Sequence, residues 1–160
     1  MRGVVWPRLS RWMYRSGHPN PLARLMNRVS AIQFGVGFLA PRDWVTVEVR
    51  GRSTGRVVSF PAVVVHHGGH GFLVSMLGER AHWVRNVRAD GGRAVLRRGR
   101  RRPVRLVEVP VGDRAPILRR YLAVAPGARP HFPLDRSAPV ADFEDIADRY
   151  PVFRVEPVGS

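Results

Sequence analysis

The sequence predicts a single mainly β domain of the α+β class, a small, partly open antiparallel barrel with flanking helices. Period-two alternation starts at Trp44 and recurs in short runs joined by turns too tight for parallel crossovers. Past that point helical spacing appears only around Trp83, Ile117 and Phe143. A length of 160 residues, 44% hydrophobic and 24% charged, suits one globular domain with a real core.

The elements follow in order. Residues 1–40 are basic, with Leu22, Leu25, Met26 and Val29 at i, i+3, i+4 and i+7 and Arg24 and Arg28 turned elsewhere. They predict an amphipathic helical segment, packed against a barrel in residues 41–160 or resting on an anionic membrane surface through Trp6, Trp12 and Tyr14. From Trp44, Val45, Val47 and Val49 alternate with Thr46, Glu48 and Arg50 as a half-buried strand. After a turn at Gly51 to Gly55, the runs Val57 to Val65 and Gly71 to Met76 predict two strands joined as a hairpin at Gly68-Gly69. Trp83, Val84 and Val87 predict a helix between Glu79 and Asp90, stopped by Gly91-Gly92. Ala94 to Arg97 and Pro103 to Val109 flank Gly99 as a second hairpin with an arginine tip.

Asp113 then opens a helix carrying Ile117, Leu118, Tyr121 and Leu122. The Pro-rich stretch Ala125 to Pro139 is long enough to wall a pocket. Phe143, Ile146, Ala147 and Tyr150 mark a last short helix, and Val152 to Val155 a closing strand.

Composition narrows the chemistry. The 27 basic residues are all arginine and face 12 acidic ones, a net charge of +15. Arginine grips phosphate and carboxylate with a planar fork of donors, so anionic ligands are favoured. A chain rich in Arg, Ala, Val, Gly and Pro and free of Lys also reads as the product of GC-rich coding, so charge alone does not name the partner. The absence of cysteine excludes disulfides, thiolate metal sites and thiol nucleophiles. Pro7, Arg8, Arg11 and Arg15 break any apolar leader, and Ala31 to Ala40 is too short to span a bilayer. The expected location is cytoplasmic, with peripheral contact at the inner membrane face as its extension.

His66, His67 and His70 surround a glycine turn, but an exposed hairpin tip offers them no carboxylate support, so no metal is expected. Arg97, Arg98, Arg100, Arg101 and Arg102 form the densest basic run. With no aromatic residues between them and no recognition helix beside them, a specific nucleic-acid partner is not expected.

Two segments carry candidate chemistry. The turn Gly51-Arg52-Ser53-Thr54-Gly55-Arg56 joins two strands and combines glycines, hydroxyls and guanidinium groups, the ingredients of an anion cradle. On its own it reads equally as a basic turn in solvent. The second segment, Ser75-Met76-Leu77-Gly78, passes from a strand end towards a helix bearing Trp83 and Asn86, a natural seat for a planar polar ligand. On its own, Trp83 reads first as core, since a buried Trp is more often core than cofactor wall.

Together, in this order and at this distance, the segments resemble the deazaflavin-dependent nitroreductase and quinone reductase family of actinobacteria. Members of that family bind coenzyme F-420 on a split β-barrel related to FMN-binding proteins. The resemblance runs from about Thr46 to about Val109, and more loosely over Tyr150-Pro151-Val152-Phe153. In the family a Gly-Arg-Lys-Ser/Thr-Gly turn, followed by an Arg and a Pro, holds the coenzyme's phosphate and acidic tail. Gly51, Arg52, Thr54, Gly55 and Pro61 match it, while Ser53 and Val58 stand where cations are usual and Arg56 is placed to replace one of them. The Trp-x-x-Asn-x-(Arg/Lys)-Ala element beside the coenzyme site is matched by Trp83, Asn86, Arg88 and Ala89.

The resemblance implies an oxidoreductase that moves a hydride from the reduced deazaflavin to a small-molecule quinone, nitro or enone acceptor. Arg52, Ser53, Thr54, Gly55, Arg56 and Pro61 would hold the coenzyme's anionic part, and Ser75, Met76, Leu77, Gly78, Trp83, Asn86 and Arg88 would surround its ring. No proton donor is assigned: Tyr121, Tyr150 and His131 would serve only if they face the pocket, and no sequence match fixes them there. The alternative on the same barrel is a non-catalytic protein that binds a lipid, FMN or haem. Small split barrels also often bury their edges as homodimers.

Overall fold

The computed structural model describes residues 43–158; the amphipathic segment expected over residues 1–40 lies outside them. The strands are β1 (Trp44–Arg50), β2 (Val57–Val63), β3 (Val65–His67), β4 (His70–Val74), β5 (Arg93–Arg98), β6 (Arg100–Glu108) and β7 (Val152–Pro157). The helices are α1 (His82–Ala89), α2 (Ala115–Val124) and α3 (Val140–Ile146). Every strand pairing is antiparallel, in one seven-stranded sheet of order β2-β1-β5-β6-β7-β4-β3.

The two edge strands of that order, β2 and β3, are neighbours in sequence with only Val64 between them. The chain therefore runs out of one edge directly into the other, which curls the sheet into a split barrel. The β-branched run expected as one strand is thus two. As far as Val63 it pairs with β1, and from Val65 it pairs with β4, while the Val64 amide leaves both ladders and donates to the Asp43 carbonyl at 2.8 Å. Alternation sets which face a residue presents, but nothing local in Val63-Val64-Val65 marks the exchange of partner. The hairpin closed at Gly68 and Gly69 is accordingly β3–β4, and Met76 falls beyond the end of β4.

Burial follows the alternation. Val47 and Val49 of β1 join Leu96, Val104, Leu106 and Phe153 in one core, which Val84 and Val87 of α1 complete. A second core lies between the sheet and the other helices, with Val65, Val74 and Val152 against Leu118 and Leu122 of α2 and Phe143 of α3. The Gly92 amide donates to the Val87 carbonyl at 2.9 Å, ending α1 as its paired glycines predict. Pro61 is tolerated because β2 is an edge strand and its missing N–H faces no neighbour.

One helix start and one helix end differ from expectation. Asp113 belongs to a 3-10 turn over Val111–Asp113, and α2 starts at Ala115. The residue between them, Arg114, is only 5% exposed and donates to the carbonyls of Val109, Ala147 and Tyr150, fastening the start of α2 to the end of α3. The last helix ends at Ile146 and tightens into a 3-10 turn over Ala147–Arg149. The Pro-rich loop is not structureless, since Pro126–His131 form a 3-10 turn.

Candidate functional site

The site grows from the β1–β2 turn. Gly51 donates to the Arg56 carbonyl at 2.7 Å, Gly55 donates to the Gly51 carbonyl at 2.8 Å, and the Arg56 amide reaches Thr54 Oγ1 at 3.2 Å. Gly55 sits at φ +73°, a conformation that glycine supplies without strain. These amides satisfy one another within the turn, so the loop is rigid before any ligand arrives. The Ser53, Thr54 and Arg56 side chains stay exposed.

Arg52 is anchored from below. Its amide donates to Asn86 Oδ1 at 3.1 Å and its guanidinium donates to the same oxygen at 2.8 Å. The guanidinium also lies 3.2 Å from His82 Nδ1; arginine only donates, so that nitrogen accepts. Asn86 is 2% exposed on the inner side of α1, and burial makes its bonds to a charged partner strong. The turn and α1 are thus locked together at one point.

Beside that point lies a narrow cleft that encloses about 70 Å³, or about 730 Å³ counting the solvent at its mouth. Pro61, Met76, Leu77, Trp83 and Asn86, all anticipated from sequence, line it. Trp83 is held between Phe60, at a ring-centroid distance of 5.3 Å, and Phe153, at 5.5 Å. Phe60 and Tyr121 also line the cleft, and neither was assigned there from sequence. The alternation of β2 puts Phe60 on the same face as Val58 and was the one available signal for it; Tyr121 reads as an ordinary core position of α2.

The other expected residues sit apart from the cleft wall. Ser75 is fully buried, with its hydroxyl donating to the Gly78 carbonyl at 2.7 Å and its amide to the Pro151 carbonyl at 3.0 Å. Gly78, at φ +73°, lies against the Arg149 carbonyl, which a Cβ would approach to 2.7 Å. The pair forms a fixed turn that presents Met76 and Leu77. Arg88 points elsewhere and binds Glu79 and Glu108, each at 2.6 Å, linking α1 to the end of β6. Those carboxylates raise its pKa, and the hydrogen bond from Arg88 holds the Glu79 carboxyl below its usual range.

Tyr150 is turned from the cleft too; its hydroxyl donates to the His131 carbonyl at 2.9 Å and burial pushes its pKa up. Among the described residues no group of three or more His, Cys, Asp or Glu could hold a metal ion, and His66 lies 3.7 Å from Asp43. None of the described helices is long and apolar enough to cross a membrane.

A split barrel with an aromatic-walled cleft beside a rigid basic turn defines a coenzyme-binding protein of the flavin-barrel class. The family model for F420H(2)-dependent quinone reductase matches residues 23–141, and the chain belongs to that family. It is an oxidoreductase that depends on the deazaflavin coenzyme F420. The chain is also similar to a solved F420-H2 dependent reductase (FDR-A), at 24% identity over 72% of this chain and 95% of that one, with a TM-score of 0.48. A solved domain-swapped dimer aligns at 21% identity over 86% of this chain and 100% of that one, with a TM-score of 0.49. A solved FAD-binding protein from Mesorhizobium loti aligns at 12% identity over 82% of this chain and 89% of that one, with a TM-score of 0.47. The curated proteins include no match to the chain.

Proposed function

We propose that the protein transfers a hydride from reduced F420 to an apolar acceptor of the quinone, nitro or enone type, with coenzyme and acceptor meeting in the cleft beside Trp83. One observation carries this reading. Asn86 lines the cleft and at the same time holds Arg52 of the basic turn. A ligand with an anionic part and a planar ring finds a partner for each on either side of one buried amide.

The residues fit such a coenzyme. Arg52, Ser53, Thr54 and Arg56 offer exposed side-chain donors and charge for its phosphate and acidic tail, and Gly55 at φ +73° lets the turn close beneath them. Trp83, Pro61, Met76 and Leu77 offer flat apolar surface for its ring. Bound there, the reduced deazaflavin supplies the hydride, so the protein needs no nucleophile. Its residues bind and orient the ring, exclude water with Phe60 and Trp83, and admit an acceptor to the same apolar walls. Among the described residues Tyr121 is the one titratable side chain on those walls, so its hydroxyl is the group we assign to give the reduced acceptor a proton. Ser75 and Gly78 act indirectly, by fixing the turn that carries Met76 and Leu77.

Fluorescence titration with oxidised F420, followed by anaerobic turnover of the reduced coenzyme with menadione, tests the reading. Micromolar binding that weakens at least tenfold in Arg52→Gln supports it. Undetectable binding at those concentrations, or wild-type affinity in Arg52→Gln, refutes it.

A further inference from the structure

The open end of the barrel away from the basic turn is, we infer, a second anion site, one that docks the protein on a bilayer of acidic phospholipid. The β5–β6 hairpin pairs Leu96 with Arg102 and Arg98 with Arg100. Two-residue periodicity puts those three arginines on the face that, deeper in the barrel, carries the core residues Leu96 and Val104. With Arg120 of α2 they rim a groove of about 1460 Å³, solvent at its mouth included, floored by Val45, Val64 and Val124.

Ion pairing divides the basic run in two. On the opposite face of the hairpin, Arg101 and Arg97 reach Glu48 at 2.6 and 3.6 Å, so part of that face's charge is offset within the protein. Arg100, Arg102 and Arg120 are exposed and pair with no carboxylate among the described residues. The single acidic residue of the groove, Asp43, lies 3.7 Å from His66. Arg100, Arg102 and Arg120, gathered without a carboxylate partner among the described residues, repel one another, and an incoming anion relieves that repulsion.

The groove is separate from the coenzyme turn. Val45 lines it near the start of β1, whereas the turn follows Arg50 at the end, and five strand residues span roughly 17 Å. Its chemistry also selects among anions. Guanidinium forks grip a phosphate headgroup, while an apolar floor beside them accepts alkyl chain. A nucleic acid would leave that floor unused and finds no Phe, Tyr or Trp among the described residues of the groove on which to stack. The docking does not depend on the redox reading. If both hold, Arg120 and Tyr121, adjacent on α2, bring the cleft beside the bilayer in which a lipophilic acceptor dissolves.

The test is co-sedimentation of the full chain, without coenzyme, with vesicles of phosphatidylglycerol and phosphatidylcholine or of phosphatidylcholine alone. Three proteins are compared: wild type, the triple variant Arg100→Gln/Arg102→Gln/Arg120→Gln, and a charge-matched control, Arg93→Gln/Arg105→Gln/Arg119→Gln. Wild type and control are expected to bind the acidic vesicles only. The groove variant should bind them on the order of a hundredfold more weakly, since each basic side chain at an anionic surface contributes about a factor of five. Arg120→Gln alone, outside the hairpin, should cost about fivefold and keeps the test open if the triple variant folds poorly. Unchanged binding by the groove variants, an equal loss in the control, or affinity for duplex DNA in place of the vesicles overturns the inference.

Discussion

Asn86 concentrates more of the site's chemistry than any charged residue. Its Oδ1 takes two hydrogen bonds from Arg52 across 34 residues of sequence, and a leucine there would leave the guanidinium without its anchor inside a tight structure. Asn86→Leu is expected to raise the F420 dissociation constant at least tenfold and to cost about 1–3 kcal/mol of stability, read by titration and by urea unfolding. Tyr121→Phe isolates a different step. It keeps the ring that packs against Phe132 and removes only the hydroxyl, so kcat should fall while coenzyme affinity holds; unchanged kcat would deny Tyr121 the proton. Asn86 and Trp83 were recognisable in the sequence because they stand at fixed spacing downstream of a basic turn. Phe60 and Tyr121 were not, because each also fits an ordinary half-buried or core position, and its neighbours across the cleft come from distant strands and helices.

Glycine requirements differ sharply between turns. A Cβ at Gly92 would come within 2.5 Å of the Leu106 carbonyl, and one at Gly78 within 2.7 Å of the Arg149 carbonyl, both with backbone in the left-handed region. At Gly55 a Cβ meets nothing within 4 Å. Gly92→Ala and Gly78→Ala are therefore expected to destabilise by more than about 2 kcal/mol, and Gly55→Ala by about 1 kcal/mol, the backbone term alone. Chemical denaturation of the three variants checks the order.

The Arg88 junction between α1 and β6 gives a pH signature. Glu79 has a lower pKa folded than unfolded, so the unfolded chain takes up its proton first as pH falls. The stabilisation is present above the ordinary carboxylate pKa and is lost as pH drops through the lowered folded value. Arg88→Met should flatten that acid limb of the unfolding curve and return the Glu79 titration, followed by NMR, to the ordinary range. The existence of α1 and its glycine stop could be read from local pattern. The role of Arg88 could not, since Glu79 and Glu108 approach it only after β6 is placed beside the helix.

A net charge of +15 over the whole chain favours electrostatic attraction of an anionic coenzyme. F420 affinity is expected to fall steeply between low and physiological salt, and salt-independent affinity would mean that apolar contact with Trp83 dominates. The sequence alone established the alternating strands, the turns that its glycines permit, the number of helices after Trp44 and an all-arginine surface, because these depend on side-chain period and local backbone freedom. Folding in three dimensions settled the rest: that one β-branched run changes partner at Val64, that Arg52 meets Asn86, and that Glu48 pairs with Arg97 and Arg101 on one face of the arginine hairpin while Arg100 and Arg102 on the other meet no carboxylate among the described residues. A periodic pattern fixes which side of a strand or helix faces inward, but which inward sides meet is chosen by the cheapest closure of the whole sheet, and that information is spread over the entire chain.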